Sequence, residues 1–331
     1  MRRALWLLGR TWLGVLAVMS AVGVARADDP PAEEPAPVPD APAITDQRLA
    51  SLDDGIGDRF AAWASERFFA GAIAGGDSVL LLTEVGVRFG LTSDSRLRAD
   101  WGVAYSNSHV SGTIAPSAGM EIPYDARVSR VEARNAAFVV EWSPRIGRAR
   151  FSFGLGTALP VAGGLNNPGT ADQAAAWAAT TTTHRLMLAT AGGIDPWRYR
   201  SERFALFVPL ELLFPIDAMT ISIAGAAAIS TPVIGGAGGL TGDLQAAAQL
   251  SGDVIPELRM GMRIAISVLD IGATPASGNA TEVQPSVTGW LRLSLPPGFM
   301  VLSLLADLGG PYGLGRANGV YALTLGGGAA L

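Results

Sequence analysis

The feature that most constrains this chain is a hydrophobic period of two that recurs from Arg67 to the C-terminus. Between Thr83 and Leu91, one face carries Thr83, Val85, Val87, Phe89 and Leu91, while the other carries Glu84, Gly86, Arg88 and Gly90. Successive side chains of an extended chain point to opposite sides, so this is a strand with one apolar face. Leu97, Ala99, Trp101, Val103 and Tyr105 repeat the pattern, as do Phe151 to Leu159, Leu258 to Ile266 and Val287 to Leu295, the last interrupted by Gly289. The second face is mostly Gly, Ala and Ser with isolated Arg and acids, not the Lys, Glu, Thr and Gln of a wet sandwich surface. Small side chains of this kind suit the crowded inside of a closed barrel whose apolar face meets lipid.

Twelve such segments can be marked, near 67–75, 79–91, 96–106, 128–142, 150–160, 199–213, 217–230, 240–250, 257–269, 282–296, 299–308 and 318–326. Most have the length of a tilted membrane-spanning strand. From the second segment on, alternate connections are short (92–95, 143–149, 214–216, 251–256, 297–298). Most of the others are long, notably 107–127, 161–198, 270–281 and 309–317. Short turns at one end and long loops at the other predict an up-and-down barrel with both termini on the short-turn side.

The start of the chain reads differently. Arg2 and Arg3 precede an uncharged apolar run from Thr11 to Ala25, and Ala25-Arg26-Ala27 places small residues where a signal peptidase reads. The run is shorter than the roughly 20 residues a spanning helix needs. Residues 1–27 are therefore expected to be a cleaved signal peptide. Six prolines between Pro30 and Pro42, interleaved with acids, have little to bury, so residues 28–66 are expected to be an acidic, mostly disordered linker. Residues 56–66, with Ile56, Phe60 and Trp63, are expected to form at most one amphipathic turn. The barrel is expected over 67–331.

Composition removes several function classes. The chain has no Cys and two His, His109 and His184, so thiol chemistry, zinc ribbons and multi-His metal centres are excluded. Every basic residue is Arg. After removal of 1–27 the acids outnumber Arg, but nine acids sit in 28–58, leaving the barrel near neutral and arguing against a nucleic-acid surface. The uncharged stretch between Asp217 and Asp243 is long enough for a helical span. Pro232 and its glycines break it, however, and Met219, Ile221 and Ile223 open it at period two, which reads as strand plus loop.

On this pattern the chain resembles Gram-negative outer-membrane β-barrel proteins over roughly 67–331. The Gly-rich strand Phe151–Leu159 and the strands with Arg or Glu facing inward look like those of porin-type channels and small-molecule transporters. The resemblance implies an outer-membrane location with the linker in the periplasm, contact with outer-membrane lipid and the barrel-assembly machinery, and small solutes as partners. Such barrels usually end on an aromatic residue, whereas this chain ends Gly326-Gly327-Gly328-Ala329-Ala330-Leu331, which moves the assembly signal back to Tyr321 and Leu325.

Candidate site residues are the charges projected into one lumen: Glu84, Arg88, Arg98, Asp100, Glu141, Glu211, Arg259, Arg263, Arg292 and Asp307. Two readings stand open. The charges pair across strands and hold the lumen shut, since desolvated charges must be compensated, or they leave a polarised path for anionic or zwitterionic solutes. The leading function is passage or binding of small polar or amphipathic solutes, with no cofactor, no metal and no catalytic step.

Two other classes remain. His109 and Ser111 share a strand face, and a His can activate a hydroxyl, as in a lipid-processing barrel enzyme, although spacing identifies no acidic partner. A structural or surface-interaction barrel would act through its long loops. The longest, 161–198, holds a helix candidate from Ala171 to Ala179 and is either a surface loop or a segment folded into the lumen. Tyr105, Trp142, Trp197, Tyr199, Phe204, Phe299 and Tyr321 fall near strand ends, where interfacial rings sit.

Overall fold

A computed structural model describes residues 60–73, 76–92, 94–117, 120–164, 197, 203–233, 239–271, 282–295, 298–308 and 320–330. The expected signal peptide, nearly all of the linker and the helix candidate at 171–179 lie outside the described residues. In chain order the strands are β1 (Phe60–Ile73), β2 (Gly76–Gly90), β3 (Ser95–Ser117), β4 (Met120–Ala133), β5 (Ala136–Trp142), β6 (Arg145–Ile146), β7 (Ala149–Leu159), β8 (Gly163–Gly164), β9 (Arg203–Ile216), β10 (Met219–Pro232), β11 (Thr241–Ile255), β12 (Leu258–Ile271), β13 (Glu282–Leu295), β14 (Gly298–Asp307) and β15 (Val320–Ala330).

Every pairing is antiparallel. β1 pairs with β2, β2 with β3, β3 with β5, β5 with β7, β7 with β9, and β9 to β15 pair in sequence. β15 returns to β1 over Ala61↔Ala330 to Gly71↔Val320, which closes a 12-stranded up-and-down barrel. Closure leaves no unpaired sheet edge within the ring.

The predicted faces are the observed ones. Val85, Phe89, Trp101, Leu155, Ile264 and Leu304 are exposed on the outside, while Glu84, Arg88, Ser152, Arg263 and Ser303 alternate with them on the buried inside. An apolar outer band over a polar interior is the inverse of a soluble fold and matches a hydrocarbon surround. Among the described residues no helix is long and apolar enough to cross a membrane.

Three boundaries differ from the sequence expectation. The first strand begins at Phe60 rather than 67, because Ala61, Trp63, Ser65, Arg67 and Phe69 already alternate inward; residues 60–66, expected in the linker, are therefore strand. The connection expected at 107–127 is not a loop. β3 and β4 continue as a two-stranded ribbon from His109↔Arg127 to Ser117↔Met120, past the last β2 pair at Ser78↔Ser108.

The segment read as one strand over 128–142 is β4 and β5, separated by Arg134 and Asn135. Ala133 lies opposite Val103 but Ala137 lies opposite Asp100, so one extra residue is inserted, as in a β-bulge. Both Arg134 and Asn135 are buried, and the parity of the strand reverses between them.

The inward glycines have a steric purpose. Trp63 lies over Gly86, Phe207 over Gly156 and Trp290 over Gly261, each so near that an added Cβ would stand under 3 Å from ring atoms. Aromatics thus fold flat across neighbouring strands and fill part of the lumen. The C-terminal glycines do the same: a Cβ on Gly328 would meet the Phe299 ring at 3.0 Å. The tail without a terminal aromatic therefore pairs and packs as the closing strand.

Candidate functional site: the charged lumen

Strand parity and register decide which charges meet. Glu84, Arg88, Asp100, Glu141, Glu211, Arg259, Arg263, Arg292 and Asp307 are all buried, and Arg98 is partly so. All ten lie on rows facing the lumen.

The structure joins four of them into one chain. Arg134 extends from the bulge to pair with Glu84 and, through Nη2, with Asp100 Oδ1 at 2.7 Å. Arg67 Nη2 lies 3.7 Å from Glu84 Oε2, and its Nε donates to Thr324. Arg98 stands 3.7 Å from Asp100 Oδ2 and 3.2 Å from Glu141 Oε1, while Arg96 Nε donates to Glu141 Oε2 at 2.7 Å. Three carboxylates are therefore matched to four guanidiniums in a continuous line across β1 to β5. Each planar fork can serve two carboxylates at once, which an ammonium could not do with the same geometry.

Sequence reasoning passed over Arg67, Arg96 and Arg134. Arg67 stood at an assumed boundary and Arg96 at a strand edge. A uniform period of two carried across 128–142 puts Arg134 on the opposite row from Glu141, and only the bulge brings both inward. The signal that could have found it is the even-numbered run Val128, Arg130, Glu132, Arg134, followed by the odd-numbered Ala137, Val139, Glu141.

Elsewhere the charges are more dispersed. Glu211 accepts from Ser222 at 2.9 Å. Arg259 pairs with Asp253 at 3.0 Å and reaches Thr220, and the Arg292 guanidinium lies 4.9 Å from the centroid of Phe299. Asp307 stands opposite Ser286 near the long-loop end of β14. At the short-turn end Arg88 is directly opposite Arg98, and Arg259 directly opposite Arg292. Facing like charges repel, and Asp100, Glu141 and Asp253 offset this for Arg98 and Arg259.

Between the ion chain and the β9–β12 wall lies a partly open cavity of about 70 Å³. Arg96, Arg98 and Glu141 line one side, and Glu211, Gln245 and Arg263 the other. Trp197, Phe207 and Pro209 add an apolar panel. Trp197 is the described end of the longest connection, so that end does enter the lumen, where it stacks on Phe207 at 5.1 Å. Asn135 holds it there: Nδ2 donates to the carbonyls of Trp197 at 3.1 Å and Arg203 at 3.4 Å, and Oδ1 accepts from Ala162 N–H at 2.8 Å. Trp197 and Phe299 are thus buried lumen residues and not interfacial rings. Their position near strand ends is real, but their side chains point inward.

His109 lies on the exposed ribbon, with Nε2 at 2.6 Å from Asp125 Oδ1, and Ser111 is the register partner of Asp125. The acidic partner that spacing could not identify therefore comes from the neighbouring strand. Among the described residues, no three His, Cys, Asp or Glu side chains are grouped to hold a metal ion.

No protein-family model matches the chain, and no curated protein matches it. Among solved structures, the β domain of the Bordetella autotransporter BrkA aligns over 83% of this chain and 100% of its own, with 10% identity and a TM-score of 0.46. The translocator domain of autotransporter NalP from Neisseria meningitidis aligns over 83% and 89%, with 10% identity and a TM-score of 0.43. The NanC porin aligns over 82% and 100%, with 9% identity and a TM-score of 0.42. Identities and scores this low say nothing of activity. The closed antiparallel pairing of this chain is itself the architecture of outer-membrane β-barrel proteins.

Proposed function

We propose that the barrel sits in the outer membrane, with the acidic linker in the periplasm, and binds and passes small polar or amphipathic solutes through its lumen. The observation that carries this reading is the lumenal cavity, where Arg263, Gln245 and Glu211 on the β9–β12 wall adjoin an apolar panel of Trp197, Phe207 and Pro209. A few placed polar groups against an apolar wall suit a solute with a charged head and a carbon body. Arg263 is the guanidinium that this wall offers to an anionic head, because a low-dielectric channel strengthens the field of a charge on its wall. No residue is assigned a catalytic role, and no cofactor is invoked.

The paired chain from Arg67 to Arg96 has the structural role: it neutralises and fills the β1–β5 side, leaving the β9–β12 side to the solute. Conductance of the purified barrel in planar lipid bilayers tests this. Ohmic steps with anion preference are expected, and Arg263→Glu should shift the reversal potential toward cations. Steps absent from both wild type and Arg263→Glu would defeat the reading.

One specific observation favours a second function. Asp125 Oδ1 lies 2.6 Å from His109 Nε2, which orients an imidazole that could act as a base, and Ser111 is the register partner of Asp125. Hydrolysis of phospholipid or lipid A, lost in His109→Ala, would replace solute passage by lipid processing.

A further inference from the structure

The short turns of the barrel differ in charge. Those after β2, β9 and β11 expose Asp94, Asp217 and Glu257, and none of their described residues is Arg. The turn between β5 and β7 instead exposes Arg145, Ile146, Gly147 and Arg148, with Gly147 at φ 64°. Among the described residues neither guanidinium has a hydrogen-bond or ion-pair partner. Two such cations on one turn are open to an anion from outside the fold.

The turn adjoins a panel of outward rings. Trp142 and Phe153 are register partners, each more than two-fifths exposed, with centroids 5.2 Å apart edge to face, and the Phe151 ring lies 6.0 Å from Phe153. Such rings settle where hydrocarbon gives way to headgroups. Arg145 follows Trp142 by three residues, which is about 10 Å of extended chain and about 7 Å of depth once strand tilt is included. The headgroup layer is about 5–7 Å thick on each side, so the arginines reach the phosphates. A phospholipid matches both halves, since its phosphate oxygens accept from planar guanidinium forks and its acyl chains lie along the rings. A choline or ethanolamine head would bring its own cation to the arginines, so a head with net negative charge fits better. The acidic segment before β1 offers carboxylates but no hydrocarbon for the rings.

We propose that Arg145 and Arg148, on the β5–β7 turn beside Trp142 and Phe153, form a binding site for the headgroup of an anionic phospholipid in the periplasmic leaflet. The site rests on the outer-membrane reading and does not depend on solute passage.

The test uses the full folded barrel in phosphatidylcholine vesicles doped with phosphatidylglycerol or phosphatidylcholine carrying the same diazirine near the glycerol backbone. After irradiation, mass spectrometry should find about fivefold more label on residues 142–153 from the anionic lipid than from the zwitterionic one. In the double variant Arg145→Gln/Arg148→Gln that ratio should fall to about one, and in Arg145→Lys/Arg148→Lys it should fall between, because the charge stays and the fork is lost. Arg127→Gln, an exposed arginine on the ribbon at the other end, should leave it unchanged. Unlabelled phosphatidylglycerol should compete in the wild type where phosphatidylcholine does not, which keeps the test decisive without any variant. Equal labelling by both lipids in the wild type, the result if the acidic linker covers the arginines, would overturn the site, as would an unchanged ratio in the double Gln variant. No label from either lipid on Trp142 or Phe153 would defeat the outer-membrane reading as well.

Discussion

Arg134 is the most exacting place to test the account of the lumen. It is 2% exposed at its side chain and pairs with both Glu84 and Asp100, whose side chains are 5% and 2% exposed. Arg134→Met keeps most of the volume and removes the charge, leaving two buried carboxylates short of a partner. Breaking a buried pair on one side costs about 3–5 kcal/mol. Here each carboxylate retains a longer contact, Glu84 with Arg67 and Asp100 with Arg98, both at 3.7 Å.

The expected cost is therefore at the lower end, about 3 kcal/mol, or roughly a 150-fold shift in the unfolding equilibrium. Urea unfolding from lipid vesicles, followed by tryptophan fluorescence, reads it. Adding Asp100→Asn to Arg134→Met should recover part of the loss, with a coupling above ~1 kcal/mol. Arg134→Lys should fall between, since an ammonium lacks the fork that spans both acids. A stability change for Arg134→Met within about 0.5 kcal/mol of zero, the range of ordinary surface substitutions, or strict additivity with Asp100→Asn, would refute the network.

Leu155→Arg, on the outer face near the middle of β7, should destabilise the barrel by about 2–4 kcal/mol in bilayers, because Leu155 is 63% exposed to the surround and a midplane Arg is not solvated there; an unchanged unfolding midpoint would contradict the lipid-facing assignment. Gly261→Val should cost about 1–3 kcal/mol by overpacking against Trp290, whose ring atoms lie 2.5 Å from an added Cβ. Trp290→Leu in the same chain should restore the unfolding midpoint, which a purely backbone effect would not permit. Asn135→Ala leaves the Trp197 carbonyl and the Ala162 N–H without that partner, for a loss of about 1–3 kcal/mol. Its tryptophan emission should shift to the red as Trp197 leaves Phe207, and an unshifted spectrum would show that Asn135 does not hold it.

How much of this was legible follows from what kind of information each feature needs. The twelve strands and their faces depend on local alternation, and each of the twelve predicted segments overlaps a strand of the ring. The ten lumen charges were readable for the same reason, as period two sends Glu84 and Arg88 inward together. The ribbon over His109 to Arg127 was not legible, because its turn chemistry resembles a loop and nothing local says that two strands continue beyond the membrane. Arg134 was missed because a single inserted residue inverts parity, and an insertion shows only against the partner strand. Trp197 was placed by strand-end position, whereas its burial depends on Asn135, 62 residues earlier.

By itself, the sequence determined that this chain forms a barrel, which face of most strands is apolar, and that charges such as Glu84 and Arg88 enter the interior, since side-chain alternation and apolar burial act within a few residues. Only the tertiary structure decided which charges meet, where the cavity opens, and that Arg134 turns inward beside Glu84 and Asp100. Those depend on register between strands distant in sequence, and a shift of one residue would send each of these side chains to the other face.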